Sequence, residues 1–200
     1  MALDASTSYN LGHILDRTTN NNSVVSTMEP IQQTSSWQVS VSDDVTRLRD
    51  ALPSVLLRQQ KPVLVLMSGL PGTGKSYFAR HLTKHLDFVL LEADLLRKTL
   101  FGQPRYTQGE NRRLFAACHQ LTYELLNNQA TVLFDATNLQ NIHREPLYAI
   151  SESTGAKLII VRTEAPQQVI RDRLARRHST PNPHNNSDAD WKVYQRMRLS

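Results

Sequence analysis

Residues Val63 to Arg80 read VLVLMSGLPGTGKSYFAR, and no other stretch restricts the fold as strongly. Val63 to Met67 form an apolar run of the length and composition of a buried strand. Gly69, Leu70, Pro71, Gly72, Thr73, Gly74, Lys75 and Ser76 follow, matching G-x-x-x-x-G-K-S/T at every fixed position. A helical segment then spans Ser76 to Leu86, with Tyr77 in its first turn. The bland alternative is an ordinary strand-to-helix turn. The physical case for a phosphate site is direct. Glycines at 69, 72 and 74 tolerate φ > 0 and have no Cβ to keep backbone N–H groups from converging on phosphate oxygens. The positive end of the following helix faces the same point. Lys75 supplies a full charge to the β- and γ-phosphates, and the Ser76 hydroxyl is placed for Mg²⁺. The loop implies a nucleoside triphosphate with Mg²⁺; ATP is the expected cofactor, and the loop itself does not choose between ATP and GTP. It does not say what receives the phosphate.

The 200 residues suit one domain with a tail. The single cysteine, Cys118, excludes an internal disulfide and a multi-cysteine zinc site, and its apolar neighbours suggest a buried structural thiol. No apolar run approaches the ~20 residues of a membrane span. The first residues, MALDASTSYNLGHILDR, lack the basic and apolar regions of a secretory signal. The expectation is a cytoplasmic protein with no membrane partner. The net charge of +5 is uneven: residues 1–156 carry fourteen basic and fourteen acidic side chains, residues 157–200 nine and four. A basic last quarter can meet nucleotide phosphates or an anionic acceptor; the alternative is a solvated basic helix face.

Residues 1–41 are rich in Ser, Thr and Asn without sustained periodicity, so they are expected to be a disordered tail. The domain is expected over 42–200. Ser42-Asp43-Asp44 looks like a helix start, and Val45, Leu48, Leu52, Val55 and Leu56 give an apolar stripe interrupted near Pro53. Further strands are expected at Phe88–Glu92, Thr131–Phe134 and Leu158–Val161. Helices are expected at Leu95–Phe101, from the Thr107-x-x-Glu110 capping box to Asn127, at Ile142–Ser153, from Pro166 to Arg177, and from a Ser187 cap through Asp188–Leu199. Four apolar strands alternating with helices predict an α/β fold, a parallel sheet covered on both faces, of the P-loop NTPase type. A fifth parallel strand is usual after such a last helix; none follows in this sequence.

Three further constellations carry chemistry. Asp94 stands just past the second strand, where open α/β sheets bind ligands, and Arg97 is three residues on, on the same helical face. The carboxylate can take the proton of an attacking hydroxyl, and the arginine can hold an anionic group of the acceptor. A capping aspartate and a surface arginine are the alternative. Asp135-Ala136-Thr137-Asn138 follows the third strand, so Asp135 is a candidate for orienting Mg²⁺ or its water. Thr137, Asn138 and Arg144 are candidate acceptor ligands; caps and a surface charge are their alternatives. Arg173 and Arg177, four apart, share a face near a lid at 166–186 and can stabilise a transferring phosphoryl group. Arg171 and Arg176 read as solvated.

Together GLPGTGKS, Asp94-x-x-Arg97, DATN followed by Arg144, and Arg173-x-x-x-Arg177 resemble the polynucleotide 5′-kinase-like branch of P-loop kinases, within the AAA-type ATP-binding group. The resemblance covers about residues 63–198. It implies a phosphotransferase in which Asp94 is the general base, Arg97 the acceptor-phosphate ligand, and Arg173 and Arg177 lid groups on the ATP phosphates. The implied partners are a nucleoside triphosphate and an acceptor hydroxyl, a polynucleotide 5′ end among the candidates. Small-molecule kinases and acceptor-free ATPases or switches are the alternatives.

Overall fold

A computed structural model describes residues 36–53, 61–179 and 186–199. Its elements in chain order are α1 (Ser36–Asp50), β1 (Val63–Ser68), α2 (Lys75–Leu82), β2 (Val89–Glu92), α3 (Ala93–Phe101), α4 (Gln108–Asn127), β3 (Val132–Asp135), α5 (Asn141–Ser153), β4 (Lys157–Arg162), α6 (Gln167–Ser179) and α7 (Trp191–Leu199). The four strands form one parallel sheet in the order β2-β3-β1-β4. This is the α/β sheet that the alternation of apolar runs and helices predicts.

Period-2 alternation explains the two layers. Leu64 and Leu66 of β1, with Val132 and Phe134 of β3, point to a large core formed with α1, α3, α4 and α5. Val65, Met67 and Leu133 point the other way, against Ala79 of α2. A third cluster joins Ile170 and Leu174 of α6 to Tyr194 of α7, with Leu70 of the phosphate loop against it. The helix pair after β4 is thus packed directly onto the loop.

Two helix starts differ from expectation. α1 begins at Ser36, so Asp44 lies inside the helix rather than at its cap. Asp44 is fully buried and takes a forked ion pair from Arg113 of α4. The acidic pair that resembles a start signal is in part a tertiary contact. α7 begins at Trp191, and Asp190, not Ser187, accepts from the Val193 N–H at 2.8 Å. Elsewhere the signals act as read: the Thr107 hydroxyl accepts from the Glu110 N–H, starting α4. Val55, Leu56, residues 180–185 of the expected lid and the expected tail up to residue 35 lie outside the described residues.

β4 is an edge strand, and it departs from the buried strand its LIIV run suggests. Ile159 and Ile160 are 38% and 46% exposed. No further strand flanks it among the described residues.

Candidate active site

Parallel pairing brings the carboxyl ends of β1, β2 and β3 to one edge of the sheet, where loops and helix starts converge. The register sets Met67 of β1 and Glu92 of β2 beside Asp135 of β3. The segments that follow these strands hold nearly all the polar residues singled out above. They line one cavity of about 740 Å³ that runs from Gly72, Gly74, Lys75 and Ser76 past Asp94 and Asp135 to Arg97.

The phosphate loop has the conformation its glycines permit. Gly74 adopts φ 106° at the N-cap of α2, leaving the first helical N–H groups without a side-chain cap. Gly69, at φ 146°, is constrained by space as well: a Cβ there would lie 2.5 Å from the Thr163 carbonyl oxygen. The loop is braced from both neighbouring strands. The Gly69 N–H donates to Thr137 O, Asn138 Nδ2 donates to Met67 O, and the Thr73 hydroxyl meets that of Thr163 at 2.8 Å. Lys75 Nζ donates to Leu70 O at 3.0 Å. Burial lowers the Lys75 pKa, while Asp135 and Asp94 raise it and Arg177 adds to the lowering.

The carboxylates face this lysine. Asp135 is buried, and burial pushes its pKa up to about 6 against the pull of the Ser76 hydroxyl and Lys75; Glu92 and Asp94 push the same way as burial. Asp94 is raised too, by burial first, opposed by a hydrogen bond from Ser187 and by Arg97 and Lys75. Glu92, next to them, is already held by both arms of Arg80 at 2.9 Å and by Asn186 at 2.6 Å. With Glu92 held by Arg80 and Asn186, Asp135 and Asp94 are the carboxylates left beside the phosphate loop. The donors fit Mg²⁺: a hydroxyl and carboxylate oxygens beside a phosphate cradle. Among the described residues no group of three His, Cys, Asp or Glu side chains could hold a metal alone. Ser76 and Asp135 could be the protein's share of a Mg²⁺ ion that also meets a bound phosphate.

Arg97 is the most unusual group. It is 5% exposed. Its Nη2 donates to Asn111 Oδ1 at 2.7 Å and its guanidinium lies 4.9 Å from the centre of the Tyr106 ring. Its Nε and Nη1 have no hydrogen-bond partner, and the nearest carboxylate, Glu110, is 4.0 Å away. A buried guanidinium with unused donors at a cavity wall is equipped to take an anion.

Arg173 and Arg177 of α6 separate. Arg177 lines the cavity, close enough to Asp94 for each to feel the other's charge. Arg173 lies behind the loop, donating to the Gly72 and Thr73 carbonyls at 3.2 and 3.3 Å. Arg144 is not at the cavity wall: it donates to the Asn138 and Leu139 carbonyls at 2.7 Å and to Tyr148 Oη at 2.8 Å, bracing the loop after β3. Thr137 and Asn138 line the cavity, the latter tied to β1 by its side chain. Tyr77 is exposed, its ring beside His81. Cys118 is buried, with its thiol pushed up to about 12 by burial, which suits packing and not nucleophilic chemistry.

Sequence reasoning passed over Tyr106, Asn111, Phe115, His119, Ile142 and His143, which also line the cavity. The four-residue spacing of Asn111, Phe115 and His119 on one face of α4 is the signal that could have found three of them.

A family model described as an AAA domain matches residues 64–200, about two thirds of the chain. The chain belongs to that family. It is a P-loop kinase domain of the AAA type. L-seryl-tRNA(Sec) kinase of Methanococcus maripaludis is 26% identical over 126 residues, 60% of this chain and 48% of that protein. A chain of the Pnkp1/Rnl/Hen1 RNA repair complex superposes with TM-score 0.54 at 21% identity, over 70% of this chain and 46% of its own. A putative kinase from Chloroflexus aurantiacus gives 0.52 at 18%, over 68% and 78%. At these identities the structural likeness speaks for the fold. The chain spans about half the length of that curated relative.

Proposed function

We propose that this domain transfers the γ-phosphate of ATP to an acceptor hydroxyl, with a polynucleotide 5′-hydroxyl as the first acceptor to test. One observation carries the reading: Asp94 stands in the same cavity as the phosphate loop and as Arg97, whose buried N–H groups lack partners. A nucleotide switch needs a phosphate loop and has no need of a carboxylate and an anion receptor on its far side. The relative named for seryl-tRNA and the neighbour from an RNA repair complex support an acceptor hydroxyl carried on RNA.

In this reading the loop N–H groups and Lys75 hold the β- and γ-phosphates. Mg²⁺, when bound through Ser76 and Asp135, neutralises charge between those phosphates. The acceptor hydroxyl gives its proton to Asp94, its oxygen forms the new bond to the γ-phosphorus, and the bond from that phosphorus to the β-phosphate oxygen breaks. Lys75 meets the charge left on ADP, and Arg177 stands over the phosphoryl group in flight. Arg173 acts at one remove, by holding the loop carbonyls.

The test is transfer of label from γ-³²P-ATP to 5′-hydroxyl oligonucleotides, nucleosides and sugars. Asp94→Asn is expected to bind ATP and to lose transfer by 10²- to 10⁴-fold, the usual worth of a general base. Undiminished transfer removes the base from Asp94. Label released only as inorganic phosphate from every mixture removes the kinase.

A further inference from the structure

The acceptor half of the cavity has a wall that the transfer chemistry does not use. Asn111, Phe115 and His119 stand at four-residue intervals on α4, so they form one stripe, rising about 6 Å per step. Asn111 anchors Arg97 at the near end. Phe115 follows, and its ring centre is 6.1 Å from that of His119. Helical side chains lean toward the N-terminus, which draws His119 back over the Phe115 turn. Ile142 and His143 of α5 line the same cavity, His143 near enough to His119 for their charges to interact.

His119 is unlike an ordinary core histidine. Its Nε2 is buried and has no hydrogen-bond partner. Its ring also lies 6.4 Å from Phe134, so it is set in an aromatic cluster. That setting holds it neutral: burial, with His143 adding to it, brings its pKa down to about 4. Two different receptors therefore share this end of the cavity. Arg97 offers unused cationic donors; His119 offers one uncharged polar atom beside a flat apolar face. A buried polar atom without a partner is costly unless something meets it.

A ligand that satisfies both has an anionic group, a planar body and a neutral hydrogen-bonding edge. A sugar phosphate supplies the anion, but its ring of hydroxyls would lie unmatched against Phe115 and Ile142. A nucleotide supplies all three features. We propose that Phe115 and His119 form a base subsite for the terminal nucleotide of the acceptor, in which His119 Nε2 makes one hydrogen bond to the base edge while Arg97 takes the adjoining phosphate. This rests on the kinase reading and adds to it the part of the acceptor that is recognised and the residues that do so. The same chemistry is offered by a free nucleoside 3′-monophosphate and by the 5′-hydroxyl end of a polynucleotide.

The experiment compares wild type, His119→Ala and His119→Gln in steady-state transfer from γ-³²P-ATP. The acceptors are a 5′-hydroxyl oligonucleotide, a nucleoside 3′-monophosphate, the same nucleoside without phosphate, and a sugar. His119→Ala should raise the acceptor KM about tenfold, the usual worth of one neutral hydrogen bond left unmade. The effect should fall on the acceptor KM and not on the ATP KM. His119→Gln, which keeps a polar atom at that depth, should recover most of it. The nucleoside lacking a phosphate should be poor with every variant. Saturation by the monophosphate alone would name a free nucleotide as the source; a need for the oligonucleotide would name a polynucleotide end. Transfer to nucleotides with the acceptor KM unchanged in His119→Ala overturns the base subsite and leaves the kinase standing. Label entering the sugar while every nucleotide stays unlabelled overturns the nucleotide acceptor and the subsite together. An ATP KM that moves as much as the acceptor KM assigns His119 to packing and overturns the proposal.

Discussion

Asp135→Asn should make the nucleotide-free protein more stable at neutral pH and deprive it of stabilisation by Mg²⁺ and ATP. The Asp135 carboxyl moves from 3.8 to about 6 on folding, mainly through burial. Its folded value lies above its unfolded one, so its contribution is most favourable at low pH and is lost as the pH rises from about 4 through 6. At about 1.4 kcal/mol for each pH unit, the ionised carboxylate costs about 3 kcal/mol at pH 7.5. The side chain is 4% exposed, so solvent screening discounts this little. Asparagine is neutral, but its amide needs partners the site does not offer, which reduces the benefit to roughly 1–3 kcal/mol. For a domain of this size that is a rise in Tm of about 2–4 °C per kcal/mol. Melts at pH 7.5 and pH 4 should show a gap in favour of the variant that closes in acid. Saturating Mg²⁺ and ATP should close or reverse the gap at pH 7.5, since ligand at a hundred times its Kd adds about 2.7 kcal/mol to a wild type that binds both. A variant less stable than wild type at pH 7.5 without ligand, or an offset equal at both pH values, refutes the reasoning.

Two further substitutions test how the site is held. Gly69→Ala places a methyl group 2.5 Å from the Thr163 carbonyl oxygen and demands φ 146° of a residue with a Cβ. It should cost about 1–3 kcal/mol in urea melts and weaken ATP binding, because the loop is forced off β4. Asp44→Ala removes the buried end of the α1–α4 ion pair while leaving Arg113 partly in water. It should lower stability by about 2 kcal/mol with ATP affinity unchanged by nucleotide titration; a matching loss of affinity would mean that α1 reaches the site.

What could be read from the chain divides by range of interaction. Strand, glycine loop and helix are local patterns, and β1, the loop and α2 follow them closely. The Thr107 cap is local too, and it starts α4. The α1 start was misplaced because Asp44 answers to Arg113, 69 residues away, which leaves no local mark. Ser187 looks like a cap, yet its hydroxyl turns to Asp94 and the helix waits for Asp190. At the site, Lys75, Ser76, Asp94, Asp135, Arg97 and Arg177 come together because each follows a strand end or faces the lid. Arg144 and Arg173 were legible as charges near that site. Whether an arginine meets ligand or backbone carbonyl depends on a few ångströms that spacing does not encode. The Phe115–His119 wall hid for a related reason. It flanks the apolar stripe of α4, so in one dimension it resembles the margin of a core.

The exposed flank of β4 has a practical side. Ile159 and Ile160 point to opposite faces of the sheet, and the strand's outer N–H and C=O groups lie beside them with no neighbouring strand among the described residues. Such an edge can add any extended chain it meets, in register and without end. Ile160→Lys, which puts a charge on that edge, should raise the concentration at which this chain stays clear, as read by light scattering.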